Sequence, residues 1–404
     1  MDITTLRHDF PILEQSYNNK KLVYLDNGAT TQKPLCVIDS ISNYYKTINS
    51  NVHRSVHILG ELSTTSMEEA RDTVAKFINA KDRHSVIFTK GTTESINLVA
   101  DSFMKYFVNK GDSVVVSVME HHSNFVPWQQ KCIEKNAKFK IVPLTTTGEL
   151  DVDAFEQMLD ENVKLVAITH ISNVLGTVND VKKIVAKAHS VGAKVLIDGA
   201  QSIAHIPIDV QDIDCDFYVF SGHKIYANMG IGVLYGKIDI LEQMPPYQYG
   251  GEMIDKVSIE KTTFNVLPYK YEAGTPNVEG IIGLKTALDY LTNNDKQSLF
   301  DYEDKLLNYA IKSLQMLYFI DILGGCENRK AVISFNIKGQ HHYDVGTLLN
   351  QLNIAVRTGT HCAEPLMSFY GITGCVRASL AFYNTFEEID ILIEGLKKVH
   401  KMLL

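Results

Sequence analysis

From about residue 85 to 236 the chain alternates short β-rich apolar runs with longer stretches of helical period. The strand-like runs are SVIFT, SVVVSV, FKIVPL, LVAITH, KVLID, FYVFSG and GVLYG, with ESINLVADSFMKYF and KKIVAKAHSVG among the helical stretches between them. Strands separated by helices predict an α/β fold with a mostly parallel, helix-covered sheet. After about residue 290 the pattern changes: SLFDYEDKLLNYAIKSLQML reads as a helix, AVISFNI, IAVRTG and VRASLAFY as strands, and EEIDILIEGLKKVHKML as a closing amphipathic helix. That pattern predicts a smaller α+β unit. The expected division is a large unit over 18–290 and a small one over 291–404 that takes in 1–17.

In parallel sheets of this kind ligands bind outside the carboxyl ends of the strands. The polar residues predicted there are Thr89 to Thr93, Glu120 to Asn124, His170 to Asn173, Asp198, and Ser221 to Lys224. CDFYVFSGHK delivers Lys224 from an apolar strand into a turn behind Ser221, Gly222 and His223. A desolvated lysine at such a place becomes a nucleophilic amine. KVLIDGAQS likewise ends a strand on Asp198, with Gln201 just beyond. A lysine to hold an aldehyde as an imine and a carboxylate to keep a ring nitrogen protonated are what a pyridoxal phosphate site requires.

Other segments fit that chemistry, each beside a plainer reading. TKGTTES places Gly91, Thr92 and Thr93 between a strand and a helix, where free amides and hydroxyls cradle a phosphate or a threonine simply caps the helix. In MEHHSN, His121 is placed to stack on a cofactor ring or move protons, although a lone histidine is more often structural. Asp198 could instead be an N-cap, and Ser221 a turn residue. In RTGTHCAEPLM, Cys362 sits beside His361 in a polar, turn-rich loop, the setting of an exposed thiol rather than a buried one. Arg377 offers a bidentate fork for a carboxylate, or a surface ion pair.

Bulk composition narrows the class. The 404 residues carry 39 basic and 47 acidic side chains, a net charge of -8, which gives no general affinity for nucleic acid or anionic membrane. No basic segment followed by an apolar run opens the chain, and none of its apolar runs approaches the roughly 18 residues of a spanning helix, so a cytoplasmic location is expected. Six cysteines without C-x-x-C pairs argue against a zinc ribbon and a disulfide scaffold. Neighbouring histidines, as in His121-His122 and His341-His342, lack supporting ligands, so no metal site is expected.

Taken in order, YLDNGATTQKP, NVHRSVH, TKGTTESINLVA, MEHHSNFVPWQ, ITHISNVLGT, IDGAQS, CDFYVFSGHK, YEAGTPN, RTGTHCAEPLM and VRASLAFYNT resemble the class V aminotransferase group, and within it the SUF-type (group II) cysteine desulfurases. The resemblance implies fold type I of the pyridoxal phosphate enzymes, a homodimer, and conversion of L-cysteine to L-alanine with the sulfur left as a persulfide for iron-sulfur cluster assembly. It implies that Lys224 binds the cofactor aldehyde, Asp198 pairs with the ring nitrogen, and His121 stacks on the ring. Thr93, Ser221 and His223 would hold the phosphate with Thr275 from the other subunit, while Thr92 shares the same cradle. Gln201 would bond the phenolic oxygen, Asn173 and Arg377 the substrate carboxylate, and Cys362 would accept the sulfur. A short connection around Cys362 resembles group II and implies an accessory acceptor of the SufE or SufU type. Selenocysteine lyase activity on the same scaffold is a further expectation. One departure stands out: beyond Lys224 the family's Leu-Tyr-Gly-Pro-x-Gly is here Ile225, Tyr226, Ala227, Asn228, Met229 and Gly230, which changes the permitted backbone angles.

Overall fold

The computed structural model describes residues 3–17 and 19–404. Its larger sheet has seven strands: β1 (Val86–Thr89), β2 (Ser113–Ser117), β3 (Lys138–Val142), β4 (Val163–Thr169), β5 (Lys194–Asp198), β6 (Phe217–Ser221) and β7 (Gly232–Gly236). In space they run β1-β7-β6-β5-β4-β2-β3. Strand β2 is parallel to β3 and β4, β4 to β5, and β5 to β6, whereas β7 lies antiparallel to both β6 and β1. Because β7 is reversed, β1 points the same way as β6. The carboxyl ends of β1, β2, β4, β5 and β6 therefore share one edge.

Sequence periodicity explains why this sheet is covered on both faces. Along β6 every residue is buried, with Tyr218 and Phe220 in one core and Phe217 and Val219 in the other. Side chains alternate across a strand, so a continuous apolar run needs a partner layer on each side. Helix Val181–Ser190 and helix Val278–Asn293 supply one layer, through Ile184, Val185, Ile281 and Leu284. Helix Thr92–Phe107 supplies the other, through Ile96, Val99 and Phe103.

A second, antiparallel sheet has four strands: β8 (Ile320–Ile322), β9 (Val332–Ile337), β10 (Arg357–Gly359) and β11 (Cys375–Ser379), in the order β8-β9-β11-β10. Its core gathers Phe335, Val345, Leu349, Leu392 and Leu396, with helices Lys296–Gln315, His342–Gln351 and Phe386–Leu403 packed around it. The last helix opens with a capping box in which Thr385 and Glu388 satisfy each other's backbone N–H groups. The N-terminal stretch contributes to both cores: Phe10 and Leu13 pack in the first cluster, Val23 and Leu25 in the second.

Two expected strands are shorter than their apolar runs. IAVRTG splits, with Ile354–Ala355 pairing in parallel with Val23–Tyr24 and Arg357–Gly359 joining β11. VRASLAFY leaves the sheet after Ser379, because Ala381, Phe382 and Tyr383 turn into the core of the larger unit and Asn384 Oδ1 accepts the Ala381 N–H. No helix among the described residues is long and apolar enough to cross a membrane.

Candidate active site

The shared edge of strand ends surrounds a cavity of about 320 Å³. Thr92, Thr93, His121, Asn173, Asp198, Gln201, Ser221, His223, Lys224, Cys362 and Arg377 all line it. Thr275 does not. It lines a separate cavity of about 170 Å³ with Lys90, Glu94 and Gly230.

The floor comes from β5 and β6. Lys224 ends the 3-10 turn Gly222–Lys224 directly behind β6. Its half-buried side chain faces the cavity, and desolvation pulls its pKa down to about 8 against the attraction of Asp198. In the loop beyond it, Tyr226 takes a left-handed φ of 65°. Its N–H donates to Thr31 Oγ1 at 2.8 Å, and the Ala227 N–H donates to Gly222 O at 3.0 Å.

Asp198 ends β5 fully buried, and burial raises its pKa, opposed by the Ala200 N–H bond to Oδ1 at 2.9 Å and by Lys224. A carboxylate desolvated in this way gains from a cation set against it. Asp198 caps no helix: the 3-10 turn Ser202–Ala204 that follows has Gln201 at its cap position, and the Ala200 bond is a local turn contact. Gln201 is tied by Nε2 to Gly28 O at 2.9 Å, leaving its amide oxygen for other partners.

At the cradle, Ser221 Oγ meets both the N–H and the hydroxyl of Thr92 at 2.8 Å. The cap position belongs to Gly91, so neither threonine caps the helix. Thr93 Oγ1 bonds Ser123 Oγ at 2.7 Å. Strand β7 passes directly behind: a Cβ on Gly232 would stand 2.4 Å from Gly91 Cα, so any side chain there would displace the cradle. His223 lines the same wall, and its buried Nδ1 has no hydrogen-bond partner among the described residues. An orphaned polar atom beside free helix N–H groups is what an anionic group would satisfy.

His121 follows β2. Its Nδ1 accepts the Ser123 N–H at 3.1 Å, which puts the ring proton on Nε2. Burial, with Lys224 and His122 nearby, lowers its pKa to about 3, so it is neutral at physiological pH. Beneath it Glu120 is fully buried, which pushes its pKa up to about 8 despite the Ser117 hydroxyl and the Asn124 amide. Asn124 Nδ2 donates to it at 2.6 Å, and Trp128 Nε1 donates to Asn124 Oδ1 at 2.9 Å. His121 thus stands on a braced turn and lines the cavity.

The opposite wall comes from the smaller sheet. Cys362 is exposed, and both it and His361 adopt left-handed backbone, with φ of 55° and 54°. Such strain persists only where neighbours hold it. The His122 N–H donates to Cys362 O at 2.8 Å, Asn173 Nδ2 donates to His361 O at 2.9 Å, and His122 Nε2 meets Glu364. His361 is buried, which lowers its pKa to about 3, and its Nε2 contacts Cys375 O at 3.2 Å. Cys375 is buried in β11.

Arg377 is buried on β11 rather than paired at the surface. Nη1 donates to Asn173 O at 2.9 Å, Nη2 to Asp26 Oδ1 at 3.3 Å, and its buried Nε has no partner among the described residues. Asp26 also holds Arg357 by both oxygens, Nε at 3.0 and 3.1 Å and Nη2 at 2.8 Å. Neither Asp26 nor Arg357 stood out in the sequence, although both lie within quoted motifs; the signal was a carboxylate just before a Gly-Ala-Thr-Thr turn and an arginine opening the cysteine loop.

The family profile described as Aminotransferase class-V matches residues 23–392. The chain belongs to the class V aminotransferase family. Within this family the chain is 49% identical over 403 residues to a cysteine desulfurase of Pectobacterium atrosepticum, covering 99% of this chain and 98% of the relative. It superposes on the cysteine desulfurase CsdA of Escherichia coli with a TM-score of 0.93 and 38% identity, covering 100% of both chains. On the apo cysteine desulfurase of Thermococcus onnurineus NA1 the TM-score is 0.94 at 35% identity, with 98% of each chain covered. These likenesses span both sheets, and the α/β architecture is that of fold type I. The cofactor of this class V enzyme is pyridoxal phosphate, and the orphaned His223 nitrogen, the cradle before Thr92 and the desolvated Asp198 suit its anionic and cationic ends.

Proposed function

We propose that the chain is a pyridoxal phosphate-dependent cysteine desulfurase of the SUF-type group, converting L-cysteine to L-alanine and taking the sulfur onto Cys362. One observation carries this reading: Lys224 and Cys362 open into the same cavity from opposite walls, with Arg377 and Arg357 lining the space between the sheets. Relatives named cysteine desulfurase, at 48–49% identity over 99% of the chain, support it.

When bound, the cofactor supplies an electron sink for charge developing at the substrate α-carbon. Lys224 would hold its aldehyde and would move a proton at the substrate carbon. Asp198 would stabilise positive charge at the ring, His121 would pack against it as a neutral imidazole, and Thr92, Thr93, Ser221 and His223 would hold the phosphate, with Thr275 serving a partner subunit's site. Gln201 bonds the ring oxygen. Arg377 and Asn173 orient the substrate carboxylate. Cys362, as thiolate, attacks the substrate sulfur: the new S–S bond forms, the Cβ–S bond breaks, and its electron pair stays with carbon, which is protonated to give alanine.

Residues 18–290 form the cofactor unit in this reading, and 291–404, with 1–17, the unit carrying Cys362. The pinned cysteine turn cannot travel far, so delivery of the sulfur requires an acceptor protein of the SufE or SufU type to come to it, with iron-sulfur cluster assembly as its destination and the cytoplasm as its compartment. A homodimer is supported by Val56 and Ile58, 96% and 64% exposed at the entry of helix Ile58–Phe77. Selenocysteine differs from cysteine by one atom, so the same cavity should release selenium from it. Mass spectrometry after incubation with L-cysteine tests the main reading: one added sulfur on Cys362 with alanine in solution is expected, and alanine without any labelled cysteine would overturn the acceptor assignment.

A further inference from the structure

The carbonyl of His223, in the peptide that leads into Lys224, accepts from four donors of one short segment. They are the Thr31 N–H at 3.0 Å, the Thr30 and Thr31 hydroxyls at 3.1 and 3.2 Å, and Lys33 Nζ at 3.2 Å. The same segment holds the other side of Lys224, where Thr31 Oγ1 accepts the Tyr226 N–H at 2.8 Å. Residues 30–33 therefore grip the turn on both sides of the amine-bearing residue.

Lys33 is the charged member of this grip. Its other two contacts are Thr30 Oγ1 at 3.1 Å and Thr31 O. An ammonium has three protons, and all three acceptors here are neutral oxygens. Among the described residues no carboxylate pairs with it, and desolvation lowers its pKa to about 8 with no opposing charge. An unpaired, partly desolvated cation is costly, so a position that needed only a donor would be served better by a neutral amide. A charge-assisted bond is about twice as strong as a neutral one, and that stiffer hold on the His223–Lys224 peptide is what the cation adds. Lys33 lines neither the main cavity nor the adjoining one that shares Thr92 and His223 with it, so it acts through the peptide and not on a bound molecule.

We propose that Lys33 is a positioning residue for Lys224: its ammonium fixes the His223–Lys224 peptide, so that the Lys224 amine meets the cofactor aldehyde from a set direction. The inference rests on the reading of Lys224 as the cofactor-binding amine and deepens it.

The test mixes cofactor-free protein with stoichiometric pyridoxal phosphate or pyridoxal, traps the adduct with borohydride, and locates it by mass spectrometry. Lys33→Met should label Lys224 about tenfold more slowly with either aldehyde, the scale of one charge-assisted hydrogen bond. Lys33→Arg, which keeps both charge and donors, should recover most of the unmodified rate. A slowing confined to pyridoxal phosphate would make Lys33 a counter-charge for the phosphate and overturn the proposal. So would an unchanged rate in Lys33→Met, an arginine variant as slow as the methionine one, or label on Lys33 itself, whose three protons are already committed. Alkylation of Cys362 by iodoacetamide should stay as it was in Lys33→Met; a change there as large as that at Lys224 would mean general loosening of the fold and would also overturn it. Should Lys33→Met fail to fold, Lys33→Gln takes its place, and labelling of Lys224 at the unmodified rate overturns the proposal equally. If Lys224 of the unmodified protein takes no label, the reading of Lys224 falls instead, so the two failures are distinct.

Discussion

Lys224 and Cys362 face each other across one cavity, yet the chain delivers them by opposite means. Lys224 follows a strand buried along its whole length, and its turn is locked by backbone bonds from Gly222 and by Thr31. Cys362 follows a three-residue strand whose residues are at least partly exposed, and its turn is locked by side chains from the other unit: Asn173, and the His122 pair with Glu364. Burial makes the lysine a better nucleophile by disfavouring its charge. Exposure leaves the thiol where another protein can reach it. In the proposed reaction the amine serves chemistry that excludes water, and the thiol a transfer that leaves the protein.

The sharpest way to break this pairing is to remove one member at a time. Lys224→Ala should lower alanine formation at least about a thousandfold, because both cofactor attachment and proton movement depend on that amine. Cys362→Ser should keep the yellow cofactor, carry no added sulfur by mass spectrometry, and release alanine about a hundredfold more slowly. If Cys362→Ser turned over cysteine at the original rate, the two walls would not be working together.

A pH titration sharpens the lysine half. In cofactor-free protein the Lys224 pKa is drawn down to about 8 by burial, from an ordinary value of 10.5. Below about pH 8 both folded and unfolded chains carry the proton, and the folded state bears the full cost of a buried charge. Between about 8 and 10.5 the unfolded chain binds more protons, so this residue makes stability rise with pH. Thermal unfolding of the unmodified protein minus that of Lys224→Met should show this rise. Reaction of the apo protein with an aldehyde should climb about tenfold from pH 7 to 9, following the neutral amine. His121, neutral above about pH 3, should add no inflection in that range.

How far this arrangement was legible in the sequence depends on the range of the interactions. Lys224 and Asp198 were legible because each ends an apolar strand, and period and turn chemistry are local properties. Cys362 stood out for the same reason, as a thiol in a polar turn. What holds the thiol was not legible: nothing near His122 in the sequence shows that its N–H and ring reach Cys362 and Glu364 some 240 positions on. Arg377 read as a carboxylate fork or a surface ion pair, but it is buried, with two of its nitrogens committed to Asn173 and Asp26. The apolar run ending at Tyr383 gave no sign of where the strand stops, because Phe382 and Tyr383 satisfy a core belonging to the other unit. Thr275 lies outside the cavity, in a separate one beside Lys90 and Glu94, and no local pattern in its sequence reports that.

The smallest expected effect probes the braces of the cysteine turn. Its two left-handed residues are disfavoured for any side chain larger than hydrogen, so their geometry depends on the surrounding bonds. Asn173 also touches Arg377, so its loss would mix turn geometry with substrate binding. Glu364 is the cleaner choice, because it is exposed and contacts only His122 and Thr360 among the polar groups described. Glu364→Ala should loosen the turn while leaving the cofactor wall intact. Alkylation of Cys362 by iodoacetamide should then accelerate about threefold, the scale of a modest shift in local opening, with the Lys224 aldehyde reaction unchanged. An equal change at both residues would mean that the walls move as one body, and the division between a sealed amine and a presented thiol would have to be abandoned.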